Sequence, residues 1–186
     1  MTEVSSLTGR LLVATPALAD PNFDRAVVLL LDHDDEGSLG VVLNRPTPVT
    51  VGDVLAAWAG LAGEPGVVFQ GGPVSLDAAL GLAVIPGDEG PLGWRRVFGA
   101  IGLVDLETPP ELLGPALGAL RIFAGYAGWG PGQLETELTE GAWYVVESEP
   151  GDVSSPTPET LWRQVLRRQR GELAMIATYP DDPSLN

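Results

Sequence analysis

Few side chains in this sequence can do covalent or acid–base chemistry. The 186 residues include one histidine, no cysteine, and ten basic residues that are all arginine. Without lysine there is no Schiff-base amine and no P-loop cation. Without cysteine there is no thiol nucleophile, disulfide or thiolate metal site. His33 is the only imidazole, so a His–His metal motif cannot form within one chain. It stands in the cluster DHDDEG at 32–37, where Asp32, Asp34 and Glu36 alternate before Gly37. That spacing imitates the opening of an EF-hand loop. The twelfth position is Leu43, where the bidentate glutamate belongs, so a solvated hairpin turn is the favoured reading and no metal is expected. His33 with a nearby carboxylate is the single route to a hydrolase or transferase. No GxSxG elbow, HExxH or Asp-Thr/Ser-Gly motif is present. Catalytic residues are therefore unassigned, enzyme activity is not the expectation, and no cofactor is expected.

Side chains suited to recognition are more numerous. Asn44 offers donors and acceptors, and Arg45 has a planar fork that fits carboxylate or phosphate. Equally, Asn44 could satisfy backbone groups where a strand ends before Pro46. Gly71 and Gly72 permit close backbone approach, to a ligand or in a tight turn. The segment GYAGWGPGQLETE at 125–137 places Tyr126 and Trp129 among glycines and leads through Gln133 into a helix. Backbone N–H groups at such a turn suit an anion, but Glu135 and Glu137 would repel a phosphate. A packed Trp129 plug is the plainer reading. The ligand-binding candidates are thus His33, Asn44, Arg45, Gly71, Gly72, Tyr126, Trp129 and Gln133.

The net charge of −15 repels phosphate backbones. Arg163, Arg167, Arg168 and Arg170 form one basic cluster on the last helix, which an ordinary helix C-terminus explains as well as a DNA-facing one. Direct nucleic-acid binding is disfavoured, and an unknown small molecule or protein is the expected partner. No basic, apolar leader opens the chain, and no apolar run approaches the ~20 residues of a membrane span. A cytoplasmic protein without membrane contact is expected.

The elements that must position these residues are short. Strands are expected near 10–15, 26–32, 38–45, 67–70, 80–85, 94–105, 119–124 and 142–147. Helices are expected at 51–59 (capped by Thr50), 109–118, 132–139 and 157–171. Strands in clusters and scattered helices predict one α+β domain over 1–186, with a mixed, largely antiparallel sheet.

Several of these segments, taken in order, resemble the AlgH/YqgE family. They are LxGxLLVAxP at 7–16, FxRxV at 23–27, GxxGVVLNRP at 37–46, GGPV at 71–74, GYAGWxxGQLExE at 125–137 with Trp143, and DPSLN at 182–186. The resemblance implies an α+β fold with a barrel-like or bifurcated sheet and a cytosolic protein. It also implies a transcriptional-regulator label, tied in one lineage to alginate production, with no assigned catalytic residues. Asn44, Gly71, Gly72, Tyr126, Trp129 and Gln133 become candidates for one shared pocket.

Overall fold

The computed structural model describes residues 6–18, 20–87, 90–169 and 171–178. The tail motif at 182–186 and Arg170 lie outside the described residues. Ten strands form one curled sheet: β1 (Arg10–Ala14), β2 (Val27–Asp34), β3 (Gly37–Val42), β4 (Pro46–Thr50), β5 (Val67–Gln70), β6 (Val74–Val84), β7 (Trp94–Phe98), β8 (Ile101–Val104), β9 (Ala119–Trp129) and β10 (Trp143–Glu147). The main order is β10-β1-β2-β3-β9-β6-β8-β7, antiparallel throughout. The sheet forks at β9. There β5 also pairs with β9, in parallel, and carries β4 on its other side.

The unbroken apolar run of β2 has a structural cause. Val27, Leu29 and Leu31 join one core layer with Leu11, Val13, Val41 and Leu43, under helix α4 (Leu161–Arg167). Val28 and Leu30 join a second layer on the other face with Leu12, Ala14 and Val42, under α2 (Gln133–Thr139). A strand covered on both faces has no reason to alternate. A third layer gathers Trp58, Val68, Leu120 and Ile122 beneath α1 (Val51–Val54).

β9 serves all three layers by changing face at Gly125, which sits at φ +75°. Phe123 points into the first layer, whereas Ala127 and Trp129 point into the second. Opposite this point β6 bulges. Val74 pairs with Tyr126 and Ala79 with Ala124, so Ser75–Ala78 loop out of the ladder.

Several expectations are corrected. GYAGW is strand, not turn, because Gly125 flips the chain without ending it. The helix expected at 51–59 breaks at Leu55 into α1 and a 3-10 turn, and the Thr50 side chain makes no cap bond. The helix expected at 109–118 is two 3-10 turns. The stretch 94–105 is a hairpin of β7 and β8. Helix α3 (Pro150–Val153), closed by a Glu149–Asp152 capping box, stands between β10 and α4 where no element is expected. The last helix ends at Arg167, and α5 (Glu172–Ile176) follows.

Candidate functional site

The motif-rich corner around Trp129 is fully committed to itself. One carboxylate oxygen of Glu137 accepts both indole N–H groups, from Trp129 at 3.0 Å and Trp143 at 2.9 Å. Its other oxygen accepts the Gln133 amide at 3.0 Å, and the Gln133 carbonyl oxygen accepts Gly130 N–H at 3.0 Å. Phe23 stacks on Trp129 and meets Trp143 edge-on. Tyr126 faces the other layer, half-buried. Glu137 holds both tryptophans, a role its place in the helix pattern did not reveal. The arrangement locks α2 onto β9 and β10 and engages the Trp129 indole N–H and both polar atoms of the Gln133 side chain within the corner.

His33 is 5% exposed. Its Nδ1 lies 2.6 Å from the Ser38 hydroxyl, its cross-strand neighbour, and its Nε2 lies 3.6 Å from a Glu135 oxygen on α2. Serine, histidine and glutamate thus stand in line. Ser38 lines an open groove with Asp32, Asp34, Glu36 and Trp129. The order differs from a working triad, where the nucleophile sits on Nε2 and the acid bonds Nδ1. Among the described residues, no group of three or more His, Asp or Glu side chains could hold a metal.

Asn44 acts on the backbone. Its carbonyl accepts Val27 N–H at 3.0 Å and its amide donates to Arg25 O at 2.9 Å, fastening the 16–25 loop to β2. Gly71 N–H donates to Ala124 O, and its carbonyl accepts Val42 N–H. A Cβ on Gly72 would lie 2.2 Å from the Tyr126 backbone. The two glycines let β3, β5 and β9 meet, and the β6 bulge begins from that crossing.

Two cavities adjoin this crossing. The first is a small polar cleft of about 120 Å³ lined by Pro21, Asn22, Val42, Arg45, Gln70, Gly72 and Pro73. It unites two predicted residues, Arg45 and Gly72, but not Asn44, Trp129 or His33. The second is an apolar groove of about 450 Å³. Thr47, Val49, Val54 and Leu55 line it from β4, α1 and the residue after it, Leu76, Asp77 and Ala78 from the bulge, and Ala79 from the point where the β6 ladder resumes. Buried Val68 and Ile122 lie at its base. Val49, Val54 and Leu76 are 42%, 56% and 53% exposed. None of these groove residues carried a chemical signal in the sequence. Apart from Thr47 and Asp77 they are ordinary aliphatics, brought together by the bulge.

The arginines of the last helix are largely folded back. Arg168 forms bonds of 2.6 and 2.7 Å with Asp152, an ion pair with Glu149 and a bond to Glu147 O. The hydrogen bond that Arg168 donates to Asp152 is the main force holding its pKa above the usual guanidinium value. Arg163 donates to Ala177 O and lies over Trp162. Arg167 is exposed. Arg121 is 2% exposed, and burial lowers its pKa to about 10. No helix among the described residues is long and apolar enough to cross a membrane.

Comparison with known proteins agrees with this architecture. The AlgH-like family model matches residues 11–174. A UPF0301 protein of Streptomyces coelicolor is 86% identical, covering 100% of this chain and 98% of its own. One from Thermobifida fusca is 53% identical, covering 97% and 96%. The crystal structure of protein DIP2367 from Corynebacterium diphtheriae superposes with a TM-score of 0.89 at 30% identity, over 96% of this chain and 95% of that one. The solution structure of the AlgH protein from Pseudomonas aeruginosa gives 0.69 at 26% identity, over 97% of each. Sequence and fold together place the chain in the AlgH-like, UPF0301 family of small bacterial proteins, whose biochemical activity is not established.

Proposed function

We propose that the protein is a non-enzymatic regulator that works by binding a small apolar molecule in the groove between β4–α1 and the β6 bulge. The observation that carries this is the groove itself. It has a pocket-like volume of about 450 Å³, an almost wholly aliphatic lining, and three large aliphatic side chains left in solvent at or beside its rim. A strand that spends four residues on a bulge to build one wall gains nothing from it in core packing, since Ser75–Ala78 are exposed. Regulation through a bound ligand also suits a chain of charge −15 better than direct contact with DNA. The test is titration with the neutral dye Nile red. Saturable fluorescence enhancement is expected, weakened at least tenfold in Ala79→Trp, which fills the groove. No enhancement, or an unchanged affinity in that variant, would contradict the proposal.

A second reading is favoured by one observation, the Ser38–His33–Glu135 alignment. It makes the protein a hydrolase or transferase in which His33 takes the Ser38 proton. A fluorophosphonate probe distinguishes it: labelling lost in both Ser38→Ala and His33→Ala supports the enzyme, and no labelling removes it.

A further inference from the structure

The groove and the polar cleft open on the same face of one strand. Val68 lines the groove and Gln70 lines the cleft. These residues are two apart on β5, so their side chains leave the sheet on the same side, roughly 7 Å apart. The buried Phe69 between them points into the first core layer. The two cavities therefore lie end to end, one apolar and one polar.

The polar end has a definite character. Arg45 spends one nitrogen on Asp24 O at 2.6 Å, and no other bond of its guanidinium is made among the described residues. Among them, too, the side-chain amides of Asn22 and Gln70 have no partner, whereas their backbone N–H groups donate to Asp20 Oδ1 and Arg45 O. No carboxylate lines this cleft. A guanidinium fork with two amides is a donor-rich set that matches a planar carboxylate. The groove has the opposite character. Its one charged lining group is Asp77, and the Thr47 hydroxyl is already donated to Val68 O at 2.6 Å. Asp77 disfavours an anion among the aliphatics and leaves the cleft as the place for one.

We infer that the ligand is a single-chain amphiphile, a medium-chain carboxylic acid, with its carboxylate on Arg45 and its hydrocarbon chain along the groove past Val68. This rests on the groove reading above and adds the head group. Arg45 supplies charge and geometry together. The molecule's field of −15 lowers the encounter rate for an anion, while the local guanidinium sets its orientation once bound.

Displacement of Nile red by octanoate and by octanol, at the same pH, tests the assignment. Octanoate is expected to displace the dye at concentrations at least tenfold below octanol in the unmodified protein. That advantage should vanish in Arg45→Met and shrink severalfold in Gln70→Leu, while octanol competes equally in all three. Equal potency of acid and alcohol in the unmodified protein would overturn the head-group assignment and leave the groove standing. So would an acid preference that survives Arg45→Met. Failure of Nile red to bind at all would remove the groove, and this inference with it. Should Arg45→Met not fold, the acid-to-alcohol ratio in the unmodified protein and in Gln70→Leu still decides.

Discussion

The corner built on Trp129 and the face built on β5 differ in what their polar groups have left to give. At the corner, Glu137 accepts three hydrogen bonds and Gln133 both donates and accepts, so a dense run of unusual residues is spent on holding α2 to the sheet. On the β5 face, unremarkable aliphatics line an open groove and three polar side chains beside it remain largely or wholly uncommitted. The contrast teaches that a motif's density reports how demanding a piece of architecture is. The place where a ligand can be held is found from unspent donors and uncovered apolar surface.

This contrast can be broken by substitution. Glu137→Ala should have the largest effect. It strands two indole N–H groups and the Gln133 amide, which costs about 3–4 kcal/mol and lowers the midpoint of thermal unfolding by roughly 10 °C. Nile red binding in the surviving folded fraction should be unchanged. A loss of dye binding without loss of stability would reverse the roles assigned to the two regions. Gly72→Ala comes next, because its Cβ meets the Tyr126 backbone at 2.2 Å. A cost of about 2–3 kcal/mol is expected from urea unfolding, together with weaker dye binding, since the bulge springs from this crossing. Unaltered stability would mean that the strands can part there without cost.

Arg121→Met should have the smallest effect. Nε and Nη1 of Arg121 have no hydrogen-bond partner among the described residues, while Nη2 donates to Glu64 O and Ser155 O. A buried cation so incompletely satisfied is replaced by a thioether of similar length at a change within about 1 kcal/mol. The pH dependence gives the sign. The folded pKa of about 10 lies below the ordinary guanidinium value. The unfolded chain therefore holds the proton more tightly, and the charged side chain opposes folding at every pH below about 10. That penalty is relieved as pH rises above about 10 toward the ordinary guanidinium value. The stability of Arg121→Met relative to the unmodified protein should accordingly be greatest below pH 10 and decline above it, as measured by urea unfolding at pH 8 and 10.5. A gap that widens above pH 10 would contradict the assignment.

Much of the architecture was legible in the sequence. The strands expected at 26–32 and 38–45 form β2 and β3, and clustered strands with scattered helices announced an α+β sheet. What was not legible turned on single backbone events. Gly125 at φ +75° turns a strand over without stopping it, so GYAGW read as a turn. Ser75 at φ +50° begins a bulge that no residue type signals. The candidate site suffered in the same way. Arg45 and Gly72 do line one cleft, but Val49, Val54, Leu76 and Ala79 come from segments separated in sequence and carry no chemistry of their own. Asn44 combined both roles considered for it only in position: it sits beside the cleft-forming Arg45 while its own amide serves the backbone.

If the two regions divide their roles in this way, the β5 face binds a ligand and the Trp129 corner does not. Amide chemical shifts followed during titration with octanoate test it most directly. Saturable shifts are expected at Val68, Gln70, Leu76–Ala79, Ile122 and Ala124, with Gly130, Gln133 and the Trp129 and Trp143 indole signals unmoved. Shifts centred on the indoles or on Ser38, with the β5 face silent, would contradict it.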